Sequence, residues 1–316
     1  MKTTALSYPS ADGVSTVRAW LWEPDGNAEA PAARRGLVQI IHGMSEHAGR
    51  YLPFIEYLCD HGFAVCANDH VGHGRTAASE EELGHMPLKD GEDVLIGDVH
   101  ALRMQAIARL GISTPYILFG HSMGSFIARI YLTRYAFGVC AAIICGTGQQ
   151  PLLLTGVGRV FTGIVSAVRG ERHRSRIAHA LGAGGFGRAI KDARTDVDWI
   201  STDPAVVDDY LSDPLSGQVF TVGGYGTLSR LAADAQSPKL VARIPHGLPM
   251  LFIAGGEDPV GERGRGVHRA VEQCRAAGIE DVDEIIYPGA RHEILNEPIH
   301  AQVEADVLAW LERHGL

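Results

Sequence analysis

Residues 116–132 read Tyr116-Ile117-Leu118-Phe119-Gly120-His121-Ser122-Met123-Gly124-Ser125-Phe126-Ile127-Ala128-Arg129-Ile130-Tyr131-Leu132. The first four form a short apolar run with strand character, and from Ser125 onward the pattern predicts a helix. Between them lies Gly-x-Ser-x-Gly. A serine at a sharp strand-to-helix turn has its hydroxyl pushed out of the sheet and set over a helix N-terminus. Its backbone is strained there. The chain doubles back so tightly that the flanking residues must be small, which Gly120 and Gly124 satisfy. With 38 glycines in 316 residues, the pentapeptide alone is a weak signal. Its strand-turn-helix setting and the residues downstream give it weight.

Working outward, other short apolar runs end at loops. Residues 17–22 alternate as an early strand. Residues 37–41 stop at His42-Gly43, 63–67 at Asn68-Asp69, 140–145 at Gly146, 250–254 at Gly255-Gly256, and 282–287 at Pro288-Gly289. Helical spacing lies between several of them: Val99, Leu102, Ala106 and Leu110 within 92–110, and Val303, Val307, Leu308 and Leu311 within 302–311. Strands alternating with helices imply an α/β fold, a mostly parallel doubly wound sheet covered on both faces. Strands that are nearly all apolar fit burial on both sides. Ligands bind such sheets beyond the carboxyl ends of the strands, so the loops after 41, 119, 254 and 287 are expected to meet at one edge. From about 147 to 235 the alternation gives way to helical pieces at 152–168, 176–181 and 206–211. The expected organisation is a core of residues 1–146 and 236–316, interrupted by a helical cap at 147–235 that shapes the substrate pocket.

Composition narrows the function. Apolar residues at 46% and charged residues at 21% match an ordinary soluble globular chain. A formal net charge of −9 argues against a nucleic-acid binder, which needs a basic face. Five cysteines, an odd number without a C-x-x-C pair, read as buried reduced thiols rather than disulfides or a metal site, and so point to a reducing, cytoplasmic setting. The start Met1-Lys2-Thr3-Thr4 has no apolar segment behind it, so no secretory signal is expected. No run of about 20 apolar residues predicts a transmembrane helix.

A serine hydroxyl needs a base to take its proton, and the base is normally a histidine oriented by a buried carboxylate. In a sheet of this type the chain order is serine, acid, histidine. Gly255-Gly256-Glu257-Asp258-Pro259 supplies Asp258, with Glu257 as its neighbour and competitor. Gly289-Ala290-Arg291-His292-Glu293 supplies His292. Both follow strand ends on the same edge as Ser122. The oxyanion of acyl transfer needs backbone donors. The Met123 N–H stands at the helix start, and in the loop His42-Gly43-Met44 the Met44 N–H is the best candidate for the second. His42, Glu46 and His47 have the order H-x-x-x-E-H on a loop, which does not bring zinc ligands together. Glu46 is instead expected to pair with Arg50 or to order the oxyanion loop. Gly182-x-Gly184-x-x-Gly187 matches the dinucleotide fingerprint as a string, but it follows a helical pattern rather than a strand and reads as a flexible cap loop. Arg169, Arg172, Arg174 and Arg176 form a basic cluster. They read either as a solvated helix face or, beside the apolar stretch 152–168, as a contact for an anionic head group or membrane surface. With a histidine base, activity is expected to rise with pH across about 6 to 7, where a free imidazole loses its proton.

These motifs resemble the α/β-hydrolase superfamily, and within it the monoacylglycerol lipase and lysophospholipase branch grouped with serine aminopeptidase S33 proteins. The resemblance runs through His42-Gly43-Met44-Ser45-Glu46-His47, Arg50-Tyr51, Asp69-His70-Val71-Gly72-His73-Gly74-Arg75, the serine turn, Asp213-Pro214-Leu215 and Arg291-His292-Glu293-Ile294-Leu295-Asn296-Glu297. It implies Ser122, Asp258 and His292 as a triad, preferring Asp258 to Glu257, with Met44 and Met123 as oxyanion donors. It also implies hydrolysis of a small-molecule or lipid ester carrying one acyl chain, through an acyl-serine, without metal or organic cofactor. The match is poorest across the expected cap, the part that would choose the substrate. An S33-type aminopeptidase and a non-catalytic ligand-binding member are the alternatives. The proline-iminopeptidase type carries Trp after its nucleophile where this chain has Met123, and a dehalogenase or epoxide hydrolase would need Asp at 122.

Overall fold

Eight strands form one sheet in the order β1-β2-β4-β3-β5-β6-β7-β8. In the computed structural model they are β1 (Lys2–Pro9), β2 (Thr16–Glu23), β3 (Gly36–Ile41), β4 (Phe63–Asn68), β5 (Tyr116–His121), β6 (Val139–Cys145), β7 (Met250–Gly255) and β8 (Val282–Tyr287). The structure describes residues 1–25, 34–149 and 152–316. Residues 26–33 of the expected core and 150–151 of the expected cap lie outside that description. The pairs β1/β2 and β2/β4 are antiparallel, and every other pair is parallel.

The helices are α1 (Leu52–Asp60), α2 (Gly91–Leu110), α3 (Met123–Tyr135), α4 (Leu152–Arg169), α5 (Arg176–Leu181), α6 (Pro204–Ser212), α7 (Val222–Ala235), α8 (Pro238–Val241), α9 (Arg265–Ala276) and α10 (His300–Arg313). The pleat sends alternate strand residues to opposite faces. Leu37, Ile41 and Leu118 meet α2, α3, α7 and α9 on one face. Val38, Ile40, Ile117 and Phe119 meet α1 and α10 on the other. That two-sided burial is why β3, β4, β5 and β7 are buried at every position and carry almost no polar side chains.

Between β6 and β7 lie α4 to α8. The last long helix there, α7, returns to the core: Leu231, Ala232 and Ala235 share the cluster that holds α2 and α3. Among the described residues no helix is long and apolar enough to cross a membrane.

Two expectations are corrected. The stretch 182–187 is not a loose loop: residues Ala183–Ala189 form a 3-10 helix, and Gly187 lies so close to the 196 backbone that a Cβ on it would sit 2.4 Å from the Asp196 carbonyl oxygen. The four arginines do not share a helix face. Arg169 ends α4, Arg176 begins α5, and Arg172 and Arg174 lie in the connection. Arg172 pairs with Glu82 at 2.8 Å, and Arg174 donates to the carbonyls of Glu81, Leu83 and Val219.

Candidate active site

The site begins where β5 hands over to α3. Ser122 has φ 54° and ψ −120°, a region that side-chain-bearing residues seldom occupy. Its N–H donates to Cys145 O at 3.0 Å on β6. The tightness of the turn explains both glycines. A Cβ on Gly120 would lie 2.4 Å from Gly124 O, and one on Gly124 would lie 2.0 Å from Ile41 O.

The loop after β3 passes directly against the serine: a Cβ on Gly43 would lie 2.9 Å from Ser122 Cβ. The Gly43 N–H is held by Glu46 Oε1. Glu46 Oε2 is 3.7 Å from Arg50 Nε, so both roles expected for Glu46 occur together. Met44 and Met123 both line the cavity beside Ser122.

Asp258 follows β7 and is fully buried. Its Oδ1 accepts the Val260 N–H at 2.8 Å, and its Oδ2 lies 2.9 Å from His292 Nδ1. Glu257 turns outward to Arg263 at 3.1 Å. With Nδ1 bonded to a carboxylate, the proton sits on Nδ1 and Nε2 is left as the basic nitrogen. Ser122 and His292 line one chamber. Among the described residues the Ser122 hydroxyl makes no hydrogen bond; such contacts tighten once substrate is bound.

Behind this pair lies a buried ionic cluster that sequence reasoning did not assemble. His121 Nδ1 is 2.8 Å from Tyr51 OH and 3.2 Å from Glu46 Oε1, and its Nε2 is 3.4 Å from His292 O. Both ring nitrogens therefore face acceptors, which suits an imidazolium. Burial works against that charge, but the hydrogen bond and the attraction of Glu46 outweigh it and raise the His121 pKa. Burial also opposes ionisation of Glu46, yet His121, Arg50 and Tyr51 hold its carboxyl down at about 2. Arg50 also pairs with Glu293, next to His292. The sequence pointed to the Glu46–Arg50 pair within this cluster, but for His121 its adjacency to Ser122 was the only signal.

Two chambers meet at Ser122. One, about 70 Å³, is lined by polar groups that include Glu46, His179, Gln218, His292 and Glu293. The other, about 230 Å³, is lined mainly by apolar side chains, among them Phe126, Phe161, Leu181, Phe186, Leu228 and Val260. Met44, Ser122, Trp199 and Tyr225 belong to both. The arrangement can hold an apolar chain on one side of the serine and a polar group on the other.

Comparison with known proteins gives concordant matches. The family model described as "Hydrolase_4: Serine aminopeptidase, S33" matches residues 32–299. A monoacylglycerol lipase of Mycolicibacterium smegmatis is 28% identical over 319 aligned positions, covering 99% of this chain and 100% of that one. A thermostable carboxyl esterase from Bacillus coagulans, solved in complex with glycerol, superposes with a TM-score of 0.90 at 30% identity, covering all of both chains. A lipase in an open form superposes with a TM-score of 0.88 at 30% identity over 99% of each chain.

Proposed function

This chain belongs to the Hydrolase_4 (serine aminopeptidase, S33) family and is a serine ester hydrolase, and from that premise we propose that it cleaves esters of a single acyl chain, monoacylglycerol or lysophospholipid, through an acyl-Ser122 intermediate. The observation that carries the reading is the placement of Ser122 at the junction of an apolar and a more polar chamber, with His292 lining the more polar side and Asp258 buried behind it at 2.9 Å from its Nδ1. The acyl chain enters the apolar chamber and the alcohol portion the polar one.

In this reading His292 Nε2 takes the Ser122 proton as the hydroxyl attacks the ester carbonyl. Asp258 holds Nδ1 and stabilises the imidazolium. The Met44 and Met123 amides receive the oxyanion; donors of this kind are worth about 3 to 4 kcal/mol of barrier each. The imidazolium protonates the leaving alcohol, and a water activated by His292 then clears the acyl-serine. Residues 147–235 act as a cap over the two chambers. None of these steps calls on a metal or an organic cofactor.

The decisive experiment measures turnover of monoacylglycerols and lysophospholipids of graded chain length by the purified chain and by Ser122→Ala. Hydrolysis by the native chain, with Ser122→Ala reduced by at least about 1000-fold, is the expected result. Retained ester turnover in the variant would refute the mechanism, and a substrate panel without turnover would refute the substrate class.

A further inference from the structure

A set of hydrogen bonds ties the β6–β7 segment to the core over the histidine loop. Residues 198–202 run beside residues 291–297. The His292 N–H donates to Trp199 O at 3.4 Å, and the Glu293 N–H donates to Ile200 O at 2.7 Å. The Arg291 guanidinium reaches Asp198 O at 2.6 Å and Ser201 O at 2.9 Å. In return, the Glu297 carboxylate accepts the Thr202 N–H at 3.0 and 3.1 Å, the Thr202 hydroxyl, and the Arg291 N–H at 2.7 Å. Bonds running both ways fix the two backbones in register.

This strap delivers Trp199, which is 7% exposed. Its ring lies 5.0 Å from the His292 ring, tilted by 46°, and is backed by Phe186 at 5.1 Å. His121 lies 4.8 Å from the same imidazole. The bond to Asp258 fixes one nitrogen of His292 but leaves the ring able to swing about that bond. The indole of Trp199 and the ring of His121, tilted by 46° and 45° against the imidazole, flank it and restrict that motion. An indole face also attracts an imidazolium, by about 0.5 to 2 kcal/mol for cations over aromatic rings.

Resting on the reading of Ser122 and His292 as nucleophile and base, we infer that Trp199 is a positioning residue: held by the 198–202 strap, its ring keeps the His292 imidazole turned so that Nε2 stays aimed at the Ser122 hydroxyl. The β6–β7 segment thereby sets the geometry of proton transfer as well as the shape of the chambers.

The test uses the full chain, p-nitrophenyl butyrate as substrate, and the variants Trp199→Ala, Trp199→Phe and His292→Gln. Trp310 also touches a histidine, His314 at 4.2 Å, so the Trp199 signal is taken as the emission of the native chain minus that of Trp199→Phe. Protonated imidazole in contact with indole quenches its fluorescence. The difference emission is expected to fall on acidification with the midpoint of the kcat/KM profile, and to lose that titration in the His292→Gln background. Trp199→Ala is expected to lose about 10- to 100-fold in kcat with KM within about threefold, and Trp199→Phe to recover most of that loss. A difference emission unaffected by His292→Gln, a midpoint apart from the kinetic one, or a Trp199→Ala loss confined to KM overturns the inference. Should Trp199→Ala fail to fold, the fluorescence titration decides alone. Ester turnover that survives Ser122→Ala overturns the site reading instead, and is scored separately.

Discussion

Ser122 stays in its strained conformation because nothing around it has room to relax. The clearest measure is Gly124, whose added Cβ would sit 2.0 Å from Ile41 O and 2.6 Å from His42 O. Those are backbone atoms of β3 and the loop that follows it, and they cannot swing aside as a side chain would. Gly124→Ala is therefore expected to cost about 3 kcal/mol, at the upper end for overpacking, read as a lower urea midpoint, with esterase activity lost alongside. A variant as stable and as active as the native chain would show that the turn tolerates a shift of β3. Glu46 makes the opposite case, a residue whose charge matters more than its volume. Glu46→Gln keeps the shape but removes the charge that His121 and Arg50 share, and breaking a buried pair costs about 3 to 5 kcal/mol. A fall in stability of that order with at least a tenfold loss in kcat is expected at pH 7; an unchanged melting temperature would mean that the Glu46 charge adds no net stability. The sign with pH follows from Glu46 being held at about 2: its contribution is present above the ordinary carboxylate pKa of about 4.5 and is lost as pH falls from there toward 2. At this scale the sequence was readable at strand ends, where the structure brings Ser122, Asp258 and His292 to one edge. Glu257 and Asp258 are neighbours that the family resemblance alone separated in the sequence, and the turn after β7 sends Asp258 inward to His292 and Glu257 outward to Arg263. Trp199 and His179 could not be read at all, because their partners lie far away in the chain.

At the scale of elements, the strands buried on both faces were legible, as were the partly buried β2 and β8, while β1 was not. β1 buries only Leu6 and Tyr8, too few for its alternation to stand out. α9 has a clean stripe at Val267, Ala270, Val271 and Cys274, but charged residues crowd it and the run is short. The extent of α4 was legible while its surroundings were not. Val160, Ile164 and Val168 are 64%, 61% and 74% exposed and stand on one side at helical spacing. Val157, 53% exposed, continues the stripe to the rim of the apolar chamber. With Arg172 and Arg174 committed to internal partners, this stripe, more than the arginines, supports a transient contact between the cap and a lipid surface. Joint replacement by Val160→Asp and Ile164→Asp is expected to abolish co-flotation with phosphatidylglycerol vesicles. Neither residue lines a chamber, so turnover of a soluble short-chain ester should stay within about twofold. Undiminished flotation would remove the lipid surface as a partner of α4.

At the scale of the whole molecule, the sheet order places the ends of β3, β5, β7 and β8 along one edge, and the same edge collects buried histidines that take no part in the proposed chemistry. His42, His70 and His73 cluster with ring centroids 4.1, 5.3 and 6.1 Å apart, tilted or edge-on to one another, all three buried. His42 Nδ1 donates to Gly43 O, its Nε2 accepts the His70 N–H, and His73 Nδ1 donates to Val71 O, so the rings are built to be neutral. Burial and mutual repulsion push the His70 pKa down to about 3, and burial pushes His73 down to about 4. The unfolded chain takes up these protons near 6.5, so the stability that a neutral ring confers is full above that pH and is lost as pH falls from 6.5 toward 4. Two buried carboxyls run the other way. Burial lifts Glu92 to about 7, helped by Asp234 and opposed by Arg134, and lifts Asp98 to about 6 against hydrogen bonds from Ala11 and Ser10. Both favour the folded state as pH falls, so the native profile alone would conceal the histidines. A difference measurement isolates one of them. Replacing His73 by Gln removes its titration while the carboxyls remain, so the stability gap between native chain and variant should narrow by about 2 kcal/mol between pH 7 and pH 5. Urea unfolding of both proteins at the two pH values measures it. A gap that stays constant would mean that His73 binds its proton as readily in the folded chain as in the unfolded one, and that the clustered rings after β3 and β4 are not held neutral.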